Sequence, residues 1–254
     1  MRRISRLPLP QRAQDYLDQQ QARLDDNARP GVPPGAQSMW RSARQAPAVG
    51  AARDSVLGTL REMCGSRVRC MYCVDSLACD IEHFWPKVRY PARVFQWQNL
   101  LLCCTDCGRR KGDRLALAPN GQPWLIDPTA ENPWTYLDFD PDTGSIFPRF
   151  EITLNDYCRK GVETVSVFAL DRSEPLTEGY RSTYRRLASA VSTMLNRLAV
   201  PSASAIMDEL RELDDHGLLP WCFSASGSTC EPFLSLKRIH TELWERCAAR
   251  VVAN

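Results

Sequence analysis

Histidine is scarce in this chain, with three in 254 residues, at positions 83, 216 and 240. Chemistry that needs a base near neutrality therefore has few candidates. An excess of one charge is also missing. Lys and Arg total 32 against 30 Asp and Glu, a formal net charge of +2. The chain as a whole lacks the basic surplus that gives a strong, sequence-independent grip on nucleic acid. No apolar run approaches the roughly eighteen residues of a membrane-spanning helix. None follows Met1-Arg2-Arg3, which argues against secretion. No repeat of fixed period and no low-complexity tract occurs. The phosphate-binding pattern G-x-x-x-x-G-K-[ST] is absent, so any ATP chemistry must come from another chain. Hydrophobic residues make up 44%, enough for a packed core in one large or two modest domains.

Cysteine, in contrast, is plentiful. There are eleven, an odd number in a long chain, which argues against a disulfide scaffold and for a reduced, cytoplasmic setting. Four stand in two C-x-x-C pairs, Cys70/Cys73 and Cys104/Cys107, with thirty residues between them. Such knuckles hold one tetrahedral Zn2+ through four thiolates. A closed shell of four leaves no place for water, so the zinc is expected to be structural. Cys103 adjoins Cys104, but only Cys104 has the two-residue spacing to Cys107. Cys64, Cys79, Cys158, Cys222, Cys230 and Cys247 read as small buried hydrophobes.

Between the knuckles lies Asp80-Ile81-Glu82-His83, and His83 is the one histidine with chemical company. Hydrolysis of a phosphodiester needs a base for water and a cation for the developing charge. His83 suits the first role. Glu82 is a hard oxygen ligand for Mg2+ or Mn2+. Adjacent strand residues face opposite ways, so the two serve one site only at a strand end or bend. Asn99, sixteen residues on, could orient the imidazole or ligate the metal. Lys87, Arg109, Arg110 and Lys111 are candidates for phosphate oxygens. His216 and His240 read as structural.

These residues resemble a known family. The acid-His pair, the later Asn and the flanking C-x-x-C pairs are similar to HNH endonucleases of the ββα-metal type. C-x-Y-C, D-I-E-H-F-x-P-K, W-x-N-L and C-x-x-C-x-x-x-K-G-D more narrowly resemble the PtuB HNH subunits of Septu-type antiphage systems and related retron-associated nucleases. The likeness covers roughly residues 5–185 and is densest from 70 to 113. It implies His83 as general base, Glu82 as catalytic-metal ligand and Asn99 as the third motif residue; Asp80 and Asn99 are further candidates to hold the divalent ion with Glu82. It further implies a nucleic-acid substrate with DNA favoured over RNA, a partner ATPase, and a role in antiviral defence. Many HNH proteins place His or Asn directly after the last zinc cysteine, where this chain has Gly108. Asn99, Asp80, Asp106 or Asp113 supplies that contact, or the metal is held weakly. The rival reading is a zinc-binding assembly subunit with a weak or inactive site.

The expected fold class is α+β, a zinc-stabilised ββα-metal core embedded in a mostly helical chain. Residues 1–65 form an N-terminal helical region, with helices from Gln11 to Ala28, around Met39–Arg44 and from Asp54 to Met63. A Pro/Gly break lies at 29–35. Residues 66–114 are the nuclease core, with a first strand or hairpin around Val68–Tyr72 and near Ile81–His83, a second short strand near Leu100–Cys103 and a helix from around Asp106 into Lys111. Residues 115–170 are a proline-rich wrap with strands at Trp124–Ile126 and Ile146–Phe147. Val162–Leu170 reads as a strand or the approach to a helix. Residues 171–254 are helical, with a stripe through Tyr180, Leu187, Val191, Leu195 and Leu198. A shorter helix runs from Ser204 to Leu213, then a polar loop at 221–231 and a last helix through Phe233 and Cys247.

Overall fold

The computed structural model describes residues 1–27, 35–50, 52–172, 174–196 and 201–252. Ala28, the Pro/Gly break at 29–34 and Leu198 lie outside them. The chain forms two compact units. One comprises Ile4–Tyr72 and Ser76–Pro123, the other Met1–Arg3, Cys73–Asp75 and Trp124–Asn254.

In the first unit an extended arm leads into α1 (Gln11–Asp26), which buries Ala13, Leu17, Gln20 and Leu24 at helical spacing. Gln21 of α1 accepts from Phe95 N at 3.0 Å and donates to Pro91 O at 3.2 Å, fixing the long connection after His83. α2 (Ala36–Ala43) buries Trp40, and α3 (Val56–Met63) begins at Ser55, whose Oγ accepts from Gly58 N at 3.0 Å. β1 (Asp80–His83) and β2 (Leu100–Cys103) pair antiparallel, Asp80 opposite Cys103 and His83 opposite Leu100. All four residues of β2 are buried, which explains its unbroken apolar run. α4 (Thr105–Lys111) follows directly and ends at Gly112, whose φ of +47° admits glycine readily.

Around Val68–Tyr72, where a strand or hairpin is expected, no strand forms. That segment makes one isolated bridge, Arg69 with Leu77, and then turns. The reason is geometric: residues three apart in a strand point to opposite faces, so a strand could not aim Cys70 and Cys73 at one ion. The turn runs through two non-glycine residues with positive φ, Val68 at 46° and Val74 at 57°.

The second unit contains two small hairpins, β3 (Leu137–Phe139) with β4 (Ile146–Pro148), and β5 (Phe150–Glu151) with β6 (Asp156–Tyr157). The strand expected at Trp124–Ile126 is absent; Leu125 and Ile126 are buried, and Ile126 N donates to Thr164 Oγ1 at 3.1 Å. Val162–Phe168 is helical, within α5 (Arg159–Phe168), and Ala169 and Leu170 form the turn that ends it, because Gly161, Thr164, Val165 and Phe168 share one buried face. α6 (Glu174–Leu195) buries Tyr180, Leu187, Val191 and Met194, with Met194 taking the inward place expected of Leu195. α7 (Ala203–Leu213) is capped by Ser202.

The polar loop expected at 221–231 is instead mostly helical, as α8 (Leu219–Ser224) and a 3-10 turn over Ser226–Thr229. Trp221 pulls it inward. Its Nε1 donates to Asp138 Oδ1 at 2.6 Å and to Ser226 Oγ at 2.9 Å, and its ring meets Phe139 edge to face at 5.1 Å. The single last helix is two, α9 (Phe233–Ile239) and α10 (Thr241–Val252), parted at His240. The architecture is thus helix-rich with short strand pairs. No described helix is long and apolar enough to cross a membrane.

Candidate catalytic and metal site

Cys70, Cys73, Cys104 and Cys107 are all buried, and their sulfurs lie within 4.8 Å of one another. Zinc–sulfur bonds of about 2.3 Å set tetrahedral sulfurs about 3.8 Å apart, so the group fits one zinc ion. Cys104 Sγ also accepts from Cys107 N at 3.4 Å, capping α4 while it faces the other thiols. Among the described residues this is the group of three or more His, Cys, Asp or Glu placed to hold a metal. Cys103 is not in it. Its buried thiol lies by Glu82, and burial followed by that carboxylate pushes its pKa far up.

His83 is the last residue of β1. Its ring is buried against Trp40, edge to face, with centroids 4.4 Å apart. Nε2 lies 3.0 Å from the carbonyl of Val94, so in the neutral ring it is the nitrogen that carries hydrogen. Nδ1 is buried and has no hydrogen-bond partner among the described residues. Burial first, then the charge of Lys87, holds the pKa well below the usual histidine value. The imidazole is therefore neutral, with the Nδ1 lone pair available.

Glu82 and Asp80 share the other face of β1. Glu82 Oε1 accepts from Lys111 Nζ at 2.8 Å. Lys111 has no exposed side-chain surface and also donates to His83 O at 2.7 Å. It turns inward to join the strand that carries both candidate residues, and does not lie with Arg109 on the outer face of α4. Asp80 Oδ1 is 3.6 Å from Arg44, and its Oδ2 accepts from Thr105 Oγ1 at 3.3 Å. Lys87 is half-buried, and burial lowers its pKa. Arg109 is exposed; Arg110 is partly so and pairs with Asp106 at 2.7 Å.

Asn99 does not meet the imidazole. Its Oδ1 accepts from Trp85 N at 2.6 Å, and its Nδ2 donates to Trp85 O at 3.1 Å and Arg93 O at 2.8 Å. Both amide hydrogens are used, so Asn99 locks the exit of β1 to the loop that presents Val94. The arm holds Asn99 in turn. Arg6 donates to Trp97 O and Leu100 O, both at 2.9 Å, and lies over the Trp97 ring at 4.9 Å. A Cβ at Gly108 would sit 3.2 Å from Cys103 Sγ and 4.0 Å from Glu82 Oε2. That position faces the carboxylate, but the Cys103 sulfur crowds anything larger than glycine.

Sequence reading missed Arg44, Trp40 and Arg6. Nothing local marks them, since each acts across a gap of tens of residues. Lys111 carried a signal, because it lies four residues after Cys107 and so shares that cysteine's inner helical face.

No family model matches the chain. One stretch does have a curated relative. That relative is the Septu protein PtuB of Bacillus thuringiensis. The two are 29% identical over 116 residues, 44% of this chain and 40% of that protein. The match spans less than half of the relative's length and establishes partial homology.

The Glu82–Lys111 pair gives a stability prediction. Lys111→Ala leaves the Glu82 carboxylate and the His83 carbonyl without their buried donor. Breaking such a pair costs about 3–5 kcal/mol, readable by urea unfolding. A loss below about 1 kcal/mol, the scale of an exposed pair, would contradict the buried pairing.

Proposed function

We propose that the chain is a metal-dependent phosphodiesterase of the HNH type that cleaves nucleic acid. We place it in antiphage defence, as the nuclease acting with an ATPase partner in the reducing cytoplasm. The observation that carries the reading is His83: a buried, neutral imidazole at a strand end, its Nε2 tied to Val94 and its Nδ1 without a partner among the described residues, with Glu82 one residue earlier on the opposite strand face. The partial likeness to PtuB supports the setting.

In the proposed reaction Nδ1 of His83 takes a proton from water as the oxygen attacks phosphorus. The new P–O bond forms while the bond to the leaving sugar oxygen breaks. Val94 O steadies the imidazolium through Nε2–H. Asn99 acts as a positioning residue, keeping the Val94 loop and the end of β1 in register. Lys111 fixes one oxygen of Glu82 and leaves Oε2 as the donor for Mg2+ or Mn2+, with Asp80 nearby on the same strand face. One or two carboxylates with water and substrate phosphate are the usual shell of Mg2+. When bound, the ion stabilises charge on the transferring phosphoryl group. The four cysteines hold zinc and keep α4, hence Lys111, against β1.

A second reading, a zinc-binding assembly subunit with a weak site, is favoured by Gly108, which offers Glu82 no side-chain partner. Incubation of the chain with duplex DNA, single-stranded DNA and RNA, with Mg2+ or Mn2+, with and without the co-encoded ATPase, separates the two. Divalent-dependent cleavage in any arm supports the nuclease; intact substrates in every arm leave the assembly role.

Arg109 and Arg110 form the basic face of α4 in this reading. Arg109→Ala with Arg110→Ala should weaken nucleic-acid binding and lower the slope of log affinity against log salt by about 1–2. Arg110 contributes the smaller part because Asp106 already pairs with it. An unchanged slope would remove this face from the interface.

A further inference from the structure

The second unit has a cavity of about 310 Å3 that takes no part in the chemistry above. Four guanidinium side chains line it: Arg2, Arg3, Arg211 and Arg250. Asp214 is the one acid in the lining, and its two carboxylate oxygens accept from Leu218 N at 2.7 Å and Leu219 N at 3.0 Å. It braces the start of α8 and lies near enough to Arg2 to offset part of its charge, which still leaves the lining net positive. This is a local concentration of charge in a chain whose net charge is only +2. The cavity is not polar throughout, because Met207, Leu219, Pro220 and Val251 form an apolar side.

The arginines come from distant parts of the chain. Arg211 lies in the last turn of α7, Arg250 in the last turn of α10, and Arg2 and Arg3 belong to the first residues. Arg211 Nη2 donates to Arg250 O at 3.1 Å, which holds α7 and α10 together at the rim. Its Nη1 pairs with Asp208 at 3.3 Å. Arg2 lies over Gly217, where an added Cβ would come 2.3 Å from Arg2 Cβ. Gly217 has φ +73°, so glycine there both makes the turn and lets Arg2 approach the cavity.

An arginine cluster recognises phosphate through forked, charge-assisted hydrogen bonds. The apolar side of the same cavity suits a flat ring. The volume is at the lower end of small-ligand pockets, which span about 300–1,000 Å3. It has room for one nucleotide and not for a strand. We propose that this cavity is a binding site for a mononucleotide, with its phosphate on the arginines and its base against Met207, Leu219 and Val251.

The test is calorimetric titration of the full chain with AMP, adenosine, inorganic phosphate and a twelve-nucleotide single strand. AMP should bind at least about tenfold more tightly than adenosine or phosphate alone, since each engages one half of the site. Arg211→Ala with Arg250→Ala, both exposed positions, should weaken AMP by at least about tenfold, the scale of one charged hydrogen bond. Arg3→Ala, also exposed, is the second variant should that pair unfold. His83→Gln should bind AMP as the parent does, which separates this site from the proposed nuclease centre. Absence of AMP binding, binding equal to that of free phosphate, or tighter binding of the strand at these arginines would each overturn the proposal.

Discussion

Cys104→Ser should give protein that holds no stoichiometric zinc and does not unfold cooperatively. Four buried sulfurs within 4.8 Å of one another, stripped of their ion, are thiols or thiolates crowded in an apolar setting. Zinc binding in comparable four-ligand sites contributes about 10–16 kcal/mol of apparent free energy, which is folding free energy. A typical domain has about 5–15 kcal/mol in total. Losing one of four ligands therefore removes a large part of the margin. Cys104 has a second task, since its sulfur caps α4 through Cys107 N. Cys70→Ser, Cys73→Ser and Cys107→Ser should behave alike. Cys103→Ala is the discriminating control: its sulfur is outside the group, so zinc should stay at one per chain. Elemental analysis and a thermal melt read both outcomes. One zinc per chain and a parental melt in Cys104→Ser would contradict the assignment.

Much of this centre was legible because metal chemistry restricts spacing. Two C-x-x-C pairs pick out four of eleven cysteines without reference to tertiary structure. β2 was legible as Leu100–Cys103 from its apolar run, and α4 from the knuckle that opens it. The knuckle turn at 68–76 was not. Val68 and Val74 take positive φ where no glycine announces a turn, and the convergence of the four cysteines overrides the β-propensity of valine. α5 was hidden by the same residue type. Val162, Val165 and Val167 look like strand, yet Gly161, Thr164, Val165 and Phe168 repeat at helical spacing. The stretch 221–231 looked polar because Ser224, Ser226, Ser228, Thr229 and Glu231 fill its later part, while Trp221, Cys222 and Phe223 at its start are buried.

The partners that shape the candidate site were the least legible. Lys111 sits in a run of three cations, and only the helical phase turns it toward Glu82. Arg6, Gln21, Trp40 and Arg44 reach the region around His83 and Asn99 from far upstream. Long side chains bonding to backbone across such separations leave no periodic trace. The amide of Asn99 is a related case. Its residue type allowed either an imidazole contact or a metal contact, and the hydrogen bonds to Trp85 and Arg93 assign it to the loop.

His83→Ala carries the other large effect, and it bears on the chemistry. Removing a general base typically costs about 100- to 10,000-fold in rate. The substitution also empties a packed space beside Trp40 and leaves Val94 O without its donor, on the order of 2–4 kcal/mol of stability. His83→Gln, which keeps more volume and a donor, separates the two effects. The zinc cysteines are untouched in either variant, so metal content should remain at one zinc per chain. The most direct measurement is the cleavage rate of the parent, His83→Ala and His83→Gln under saturating Mn2+, normalised to folded, zinc-loaded protein. The expected result is cleavage by the parent and a loss of at least about 100-fold in both variants with zinc retained. Cleavage at the parental rate by zinc-loaded His83→Ala would contradict the assignment of His83 as the base.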